Sequence, residues 1–472
     1  METTGEIDGL GLHGTFFEWR QGNRQRRDDN LGIRTQRELR IGDDLYVQNS
    51  NGDVRAIHGL VARRQVTEDF IDSGAFAAHP EDVAFLGSGK LADGRAVYRL
   101  RISPPHGEPY EIAIDTSSHL IDEKIYTEGD GQQFILYSDY RVIDGVLLPF
   151  TEVDSNGDHP YDITSHVQRV VVNQSIDASV FTPFVAASVD APAPVTVPLR
   201  EYGGLLFTNV TIKGKSLTFL LDSGAQGIVL DPHTAGALGL APEGTLEIRG
   251  AGRTSGRGVV PLESLQIGGV SLPVHVASVV DLGNVVDGSV TVDGILGYPF
   301  FAAAAVAIDP DRMTMTIAKP GALPNNGDRI DVDTDRELPE IVATVDQVNG
   351  RFFIDTGNSG EVLLFKTFIE AHPGLVIYAG NHQVENRGIG GSNTAVSAML
   401  GDLNLGPFNL YNRYANVILA SGGAFADRTD AGNIGYGVLD NFVVTFDLAN
   451  HSLYLRKAKR FDDGRYRPVY EH

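Results

Sequence analysis

Residues 219–225 of this 472-residue chain read Phe-Leu-Leu-Asp-Ser-Gly-Ala, and residues 352–358 read Phe-Phe-Ile-Asp-Thr-Gly-Asn. Each stretch is an apolar run that ends in Asp, a hydroxyl residue and Gly. The apolar run predicts a buried strand with the Asp at its end, and the Gly allows a sharp turn close to a ligand. Because the motif occurs twice, we expect Asp222 and Asp355 to share one site.

A strand, a turn and a second strand are predicted before each Asp. These strands are 205–212 and 217–221 in the first copy, and 341–345 and 351–354 in the second. Asn349-Gly350 is a strong hairpin signal and predicts the turn of the second copy. A short strand and a helix should follow each Asp. The first helix has Asp231 as its N-cap, Pro232 at its first position and Gly239 beyond its end.

The repeat continues downstream of the two Asp motifs. Residues 293–298 read Asp-Gly-Ile-Leu-Gly-Tyr and precede an apolar strand at 304–309, while 432–436 read Gly-Asn-Ile-Gly-Tyr and precede one at 442–447. The two apolar strands and the two Gly-Tyr pairs are each offset by 138 residues, against 133 for the Asp motifs. A near-constant offset indicates two duplicated lobes.

This order of motifs resembles one lobe of a pepsin-like or retropepsin-like aspartic protease, and two lobes in one chain resemble the bilobal aspartyl proteases of bacteria. The resemblance covers roughly residues 192–460. The sequence departs from the family at Asn358, where Ala, Ser or Thr is usual, and at Asn433, where an apolar residue would precede Ile434-Gly435.

The resemblance implies that Asp222 and Asp355 are a catalytic pair that activates water and requires no metal or other cofactor. Two like charges so close cannot both ionise easily, so one carboxyl keeps its proton. The family's supporting residues fall on Ser223, Gly224, Thr356 and Gly357. Ala225 lacks the hydroxyl that can stabilise an ionised Asp, which predicts a pH optimum between mildly acidic and near neutral.

Two Gly-rich stretches lie where the family has hairpin flaps that close over the substrate. The candidate flap glycines are Gly250, Gly252, Gly256 and Gly258 in the first lobe, and Gly388, Gly390 and Gly391 in the second. Ordinary surface loops are an equally good interpretation of either stretch. Neither stretch links a strand to a helix that starts with Lys-Ser/Thr, so neither is a good phosphate site.

Residues 1–185 predict a separate β unit, a long meander curling into an open barrel with one helix after Gly59. Segments 114–121 and 137–149 resemble the periplasmic lipoprotein-carrier superfamily. That resemblance implies a concave apolar surface that binds an acyl chain or an extended peptide; a stabilising or linking role is the alternative.

Residues 70–75 of the same unit read Phe-Ile-Asp-Ser-Gly-Ala and repeat the catalytic signature. The downstream motif is broken because Leu148 stands where Gly should be, and no hairpin precedes Asp72. We therefore predict a turn or a helix end there.

The predicted domains are 1–185, a linker at 186–194, a first lobe at 195–320 and a second lobe at 321–472. The fold class is all-β with few short helices. A net charge of −23 argues against nucleic acid as a partner, and the chain has no cysteine. No run is long enough to span a membrane and no signal peptide is visible; the family favours the periplasm or secretion.

Together these features predict an aspartic endopeptidase that acts on polypeptides and carries an N-terminal accessory or substrate-binding unit. The alternative is a non-catalytic peptide- or lipid-binding protein with protease-like lobes. In a further arrangement, the N-terminal unit would cover the cleft and regulate it.

Overall fold

The computed structural model describes residues 1–129, 131–250, 253–256, 258–283, 285–286, 288, 290–419 and 423–467. Strands account for 52% of the structure and helices for 12%, which confirms the predicted all-β class. The chain forms two compact units. The first comprises residues 1–50 and 54–185, and the second comprises 51–53 and 186–472.

In its described residues, the first unit is a 13-stranded antiparallel sheet with one α-helix. Its strands are β1 (Glu2–Gly9), β2 (Leu12–Gln21), β3 (Arg24–Leu31), β4 (Arg34–Ile41), β5 (Asp44–Asn49), β6 (Val54–Ile57), β7 (Val83–Lys90), β8 (Ala96–Ile102), β9 (Tyr110–Asp115), β10 (Ile121–Glu128), β11 (Gly131–Ile143), β12 (Val146–Ser155) and β13 (Ile163–Val171). The helix is α1 (Gly59–Asp72). The strand order is β6-β5-β4-β3-β2-β1-β13-β12-β11-β10-β9-β8-β7. The first and last strands, β1 and β13, are therefore neighbours within the sheet, and β6 and β7 are its edges.

Helix α1 packs on the apolar half of this sheet and ends at the copied signature. Ile71 joins a buried cluster with Ile102, Tyr110 and Ile112. The backbone N–H of Ser73 donates to the carbonyl of Asp69, and Gly74 has a left-handed φ of 72°. The prediction that Asp72 lies at a helix end is confirmed.

The sheet face that α1 covers is also charged. Arg40 of β4 contacts Asp69 of α1, which places the alternate residues of β4 on this face. Glu38 lies there, directly opposite Arg27, which is opposite Glu18 on β2. Arg and Glu side chains of β2 to β4 therefore interrupt the expected apolar surface, which continues beyond α1 only as a small cluster of Ile7, Phe16 and Leu31.

The described part of the second unit contains the remaining strands and four short α-helices. The strands are β14 (Val195–Pro198), β15 (Arg200–Tyr202), β16 (Leu205–Ile212), β17 (Lys215–Leu221), β18 (Val229–Leu230), β19 (Leu246–Arg249), β20 (Arg253–Gly256), β21 (Val259–Pro261), β22 (Leu265–Ile267), β23 (Val270–Leu272), β24 (Val276–Val279), β25 (Gly294–Leu296), β26 (Ala305–Asp309), β27 (Thr314–Ala318), β28 (Asp328–Asp331), β29 (Glu340–Val345), β30 (Val348–Asp355), β31 (Val362–Leu364), β32 (Ile377–Gly388), β33 (Gly391–Leu405), β34 (Phe408–Ile418), β35 (Gly432–Gly435), β36 (Phe442–Asp447) and β37 (Ser452–Lys457). The helices are α2 (Pro232–Ala237), α3 (Tyr298–Ala303), α4 (Lys366–Ala371) and α5 (Tyr436–Leu439).

Each predicted lobe has its own sheet. The first has the order β21-β24-β18-β25-β17-β16-β22-β23, with β15 on β16, and the second has the order β29-β30-β35-β31-β34-β33-β32. The short hairpin β19-β20 is a separate two-stranded sheet. The N-cap of α2 is Asp231, whose carboxylate accepts from the N–H of His233, as the sequence predicts.

A six-stranded sheet joins the two lobes in the order β14-β27-β26-β36-β37-β28. At its centre the repeated apolar segments lie side by side, with Val306 opposite Phe446. Phe446 packs against Phe301 with ring centroids 4.8 Å apart. Since both rings are fully buried, this sheet forms a continuous core that fixes one lobe against the other.

The predicted hairpin turn at Asn349-Gly350 is wrong. The turn is Asp346-Gln347, both with positive φ (44° and 71°), and Asn349 and Gly350 lie within β30. The Asp346 carboxylate accepts from the N–H groups of Gly401 and Asp402, which stabilises the unusual backbone. Gly350 is needed for packing, because a Cβ there would lie 2.5 Å from the Ala431 side chain.

Candidate active site

Each Asp motif is placed by a pair of parallel strands. In the first lobe β17 runs parallel to β25, and the N–H of Asp222 donates to the carbonyl of Leu296 at 3.0 Å. In the second lobe β30 runs parallel to β35, with Asp355 opposite Gly435. The downstream apolar-Gly segment thus supports the Asp loop in both lobes, and the duplication seen in the sequence is a duplication of this supporting structure.

The hydroxyl residues of the two motifs form a reciprocal set of hydrogen bonds. The N–H of Ser223 donates to Thr356 Oγ1, and the N–H of Thr356 donates to Ser223 Oγ, both at 3.0 Å. Each hydroxyl then donates across to the other lobe, Ser223 to the carbonyl of Ile354 at 2.6 Å and Thr356 to that of Leu221 at 2.9 Å. Both side chains are fully buried, so these four bonds hold the loops together out of water.

Each motif glycine lies against the carboxyl of the opposite lobe. A Cβ on Gly224 would come within 2.5 Å of the Asp355 carboxyl, and one on Gly357 would overlap the Asp222 carboxyl. No real Cβ makes such contacts. Absence of a side chain at these two positions is therefore what lets Asp222 and Asp355 approach each other.

The two half-buried carboxyls each lie against the Asp loop of the opposite lobe, and both have raised pKa values. Burial is the main cause for Asp222, followed by the charge of Asp355 and the hydrogen bond to it, so its pKa lies well above the ordinary range. For Asp355 burial also raises the pKa, but the N–H of Gly357 and the hydrogen bond from Asp222 oppose the rise. Two adjacent carboxyls resist ionising together, so Asp222 and Asp355 titrate as a coupled pair.

The two departures from the family meet beside Asp355. Asn433 Nδ2 donates to Asp355 Oδ2 at 2.9 Å, and Asn358 Nδ2 donates to Asn433 Oδ1 at 2.6 Å. The sequence marks both positions as exceptions without relating them to each other. Parallel pairing of β30 with β35 brings together residues 75 positions apart.

A charged network below the site has no sequence motif that predicts it. The Arg336 guanidinium contacts Glu340, Asp427 and Asp430, and its backbone carbonyl accepts from Gln226 Nε2 at 2.8 Å. Gln226 belongs to the loop that follows Asp222. The network thus connects the first Asp loop to the second lobe. Its members are distant in sequence, so only the folded structure shows that their side chains meet.

The two candidate flaps are hairpins. The tip of β19-β20 contains Gly250, and the tip of β32-β33 contains Ile389 and Gly390. Ile389 lies against Gly250, since a Cβ on Gly250 would overlap the Ile389 carbonyl. Ile248 and Ile389 both pack on the apolar cluster that includes Leu220, next to the Asp222 loop.

The remaining candidate flap glycines differ in their roles. Gly256 ends β20, Gly258 has φ 101°, and Gly388 ends β32. Gly390, with φ 81°, forms the turn of the second hairpin together with Ile389, and Gly391, with φ 123°, begins β33 opposite Gly388. Gly252 lies outside the described residues.

Among the described residues, one exposed group of potential metal ligands is found, His79 with Glu81 and Asp82 in the first unit. No helix in the described part is long and apolar enough to cross a membrane.

Comparison with known proteins agrees with the resemblance drawn from the motifs. Residues 208–300, which include Asp222 and the supporting segment β25, match a family model described as aspartyl protease. No curated protein matches the chain significantly in sequence.

Three solved structures illustrate what the chain is similar to. The match to an aspartic proteinase of Irpex lacteus covers 57% of this chain and 98% of the proteinase chain, with 14% identity and a TM-score of 0.39. A retropepsin-like aspartic protease of Rickettsia conorii covers 28% and 89%, with 22% identity and a TM-score of 0.21. An outer membrane lipoprotein-sorting protein domain of Vibrio parahaemolyticus covers 38% and 88%, with 11% identity and a TM-score of 0.27.

Proposed function

We propose that this protein is an aspartic endopeptidase whose catalytic pair is Asp222 and Asp355. One observation carries the proposal: at the ends of the duplicated loops, each carboxyl lies against the motif glycine of the opposite lobe, Asp355 against Gly224 and Asp222 against Gly357. A proton shared by two adjacent, half-buried carboxyls provides an acid and a base in the same site at the same pH.

Such a pair hydrolyses a peptide bond without a covalent intermediate. The ionised Asp takes one proton from water, the water oxygen attacks the peptide carbonyl carbon, and the protonated Asp gives its proton to the carbonyl oxygen. The resulting gem-diol then collapses. The first Asp passes its proton to the leaving nitrogen as the C–N bond breaks, and the second Asp regains a proton from a gem-diol hydroxyl. The products are a carboxylic acid and an amine, and the pair is ready for another cycle.

The rest of the proposal concerns the substrate and the setting. The substrate is a polypeptide in extended form, closed over by the hairpins β19-β20 and β32-β33. The first unit is an accessory unit that binds a peptide or a lipid. The family resemblance favours the periplasm or secretion as the location, which fractionation of the producing cells would test.

Cleavage of a mixed peptide library across pH, with and without pepstatin, tests the activity. We expect pepstatin-sensitive cuts in peptides, with the cut sites giving the specificity. Removal of residues 1–190 is a second arm, since the first unit could cover the cleft. If folded protein cuts nothing at any pH in either form, the non-catalytic binding alternative becomes the better account.

A further inference from the structure

Among the residues that the structure describes, Asp355 has a side-chain hydrogen-bond donor and Asp222 has none. Asn433 Nδ2 donates to Asp355 Oδ2, while the N–H of Gly357 donates to the other oxygen, Oδ1, at 2.8 Å. The matching position in the first lobe, set by the pairing of β17 with β25, is Ile295, opposite Leu220. An isoleucine cannot donate a hydrogen bond, so the two halves of the catalytic pair differ.

The amide of Asn433 is itself oriented by Asn358. The N–H of Gly360 donates to Asn358 Oδ1 at 2.8 Å, Asn358 Nδ2 donates to Asn433 Oδ1, and Asn433 Nδ2 donates to Asp355. Reversal of either amide would bring two donors or two acceptors together. The chain of bonds therefore runs in one direction, from a backbone N–H to the Asp355 carboxylate.

Burial increases the effect of this chain. Asn433 is only 3% exposed, and an amide donor out of water stabilises an adjacent negative charge more than an exposed one does. The matching residue to Asn358 in the first lobe is Ala225, which also has no donor. Both differences between the lobes act on the same carboxyl.

We propose that Asn433, oriented by Asn358, is a positioning residue that keeps Asp355 ionised, so that Asp355 is the base and Asp222 carries the proton. The assignment of base and acid rests on the proposed function, whereas the stabilisation of the Asp355 carboxylate does not. In the reaction, Asp355 takes the proton from water and later gives it to the leaving nitrogen, while Asp222 donates to the carbonyl oxygen.

The groups that act on Asp355 come from three elements. The loop after β17 contributes Asp222, the loop after β30 contributes the N–H groups of Gly357 and Asn358, and β35 contributes Asn433. Among the described groups that shift the pKa of Asp355, Asp222 is the one that itself titrates. Replacement of Asp222 by Asn therefore leaves a single carboxyl whose titration reports on Asn433.

The experiment is a carboxyl ¹³C NMR titration of the full chain in the Asp222→Asn background, with the Asp355 resonance assigned by its loss in Asp355→Asn. Asn433→Ile installs the residue that the first lobe has at the same place. We expect the pKa of Asp355 to rise by about one to two units on loss of the donor. An unchanged pKa in a folded variant overturns the inference.

Asn358→Ala is the second variant and also copies the first lobe. It leaves Asn433 in place but unrestrained, so a smaller rise in the same direction is expected, and no rise contradicts the proposed orientation. This variant decides the matter if Asn433→Ile does not fold.

The peptidase pH profile separates the two proposals. With Asp222 restored, Asn433→Ile should move the acidic limb of kcat/KM to higher pH by the same amount. If the Asp355 pKa rises but wild type cleaves no peptide, the proposed function fails and the role of Asn433 stands. If wild type cleaves peptides but neither the pKa of Asp355 nor the acidic limb moves, the proposed function stands and the role of Asn433 fails.

Discussion

The backbone N–H of Ser223 donates to the hydroxyl of Thr356, and the backbone N–H of Thr356 donates to the hydroxyl of Ser223, both over 3.0 Å. The two residues are 133 positions apart and belong to different lobes. Their bonds lie directly beneath the Asp222 and Asp355 carboxyls, so the distance between the carboxyls depends on them.

Loss of one of these hydroxyls should destabilise the second unit and misplace the pair. Ser223→Ala leaves the N–H of Thr356 and the carbonyl of Ile354 buried without a partner, at a cost of about 1–3 kcal/mol for each unsatisfied group. Thermal unfolding and kcat/KM measure both effects. Thr356→Ala should have the same two effects, and Thr356→Ser is its matched control because it keeps the hydroxyl. If Thr356→Ser were as damaging as Thr356→Ala, loss of the hydrogen bonds would not be the cause.

A methyl group at Gly224 should abolish activity while a methyl group nearby does not. The Cβ of Gly224→Ala would collide with the Asp355 carboxyl, whereas the nearest atom to a Cβ on Gly227 of the same loop is 4.0 Å away. We expect kcat to fall by at least about 100-fold in Gly224→Ala, since misplacement by 1 Å can cost that much. Equal losses in Gly224→Ala and Gly227→Ala would contradict the close approach of the carboxyls.

The free energy of unfolding should decrease as pH rises because of the paired carboxyls of Asp222 and Asp355. The pKa values of Asp222 and Asp355 are raised in the folded state, chiefly by burial. A carboxyl of this kind contributes stability that is fully present below its unfolded pKa of about 3.9 and is lost as pH rises through its folded pKa. Asp222→Asn removes the contribution of the Asp222 carboxyl to this pH dependence. The unfolding free energy should therefore fall less steeply above about pH 4 in Asp222→Asn than in wild type; equal slopes would count against the raised pKa.

The charged network below the site should be costly to break. In Arg336→Leu the buried carboxyls of Glu340 and Asp430 lose one of two cationic partners and keep Arg351. Removing one member of a buried ion pair costs about 3–5 kcal/mol, and the loss should lie near the lower end of that range because Arg351 remains. Arg312→Leu is the control, because the Arg312 side chain is 75% exposed and its pair with Asp309 should contribute less than about 1 kcal/mol. Urea unfolding compares them, and similar losses would show that the network does not stabilise the lobe.

Much of the fold follows from local patterns in the sequence. The two Asp motifs, their supporting segments and the capping of α2 each depend on a few consecutive residues, so the duplicated strands and α2 could be predicted. Asp72 could be set apart from Asp222 for the same reason, because its flanks lack the hairpin and the downstream glycine.

Long-range contacts that no repeated motif marks could not be predicted from the sequence. Asn349-Gly350 is a good turn sequence, yet the bonds to the Asp346 carboxylate come from β33, more than 50 residues away, and place the turn elsewhere. Asn358 and Asn433 looked like losses of a family feature when considered singly. Their meaning depends on which strands are paired, and a single sequence does not contain that information.

The catalytic assignment of Asp222 and Asp355 is tested most directly by kcat/KM on one cleaved peptide for Asp222→Asn, Asp355→Asn and Asp72→Asn. The third variant alters the same Asp-Ser-Gly signature at the end of α1 and is the control. The account predicts that the first two folded variants lose cleavage and that Asp72→Asn keeps it. Cleavage that survives in either Asp222→Asn or Asp355→Asn would contradict a shared catalytic pair.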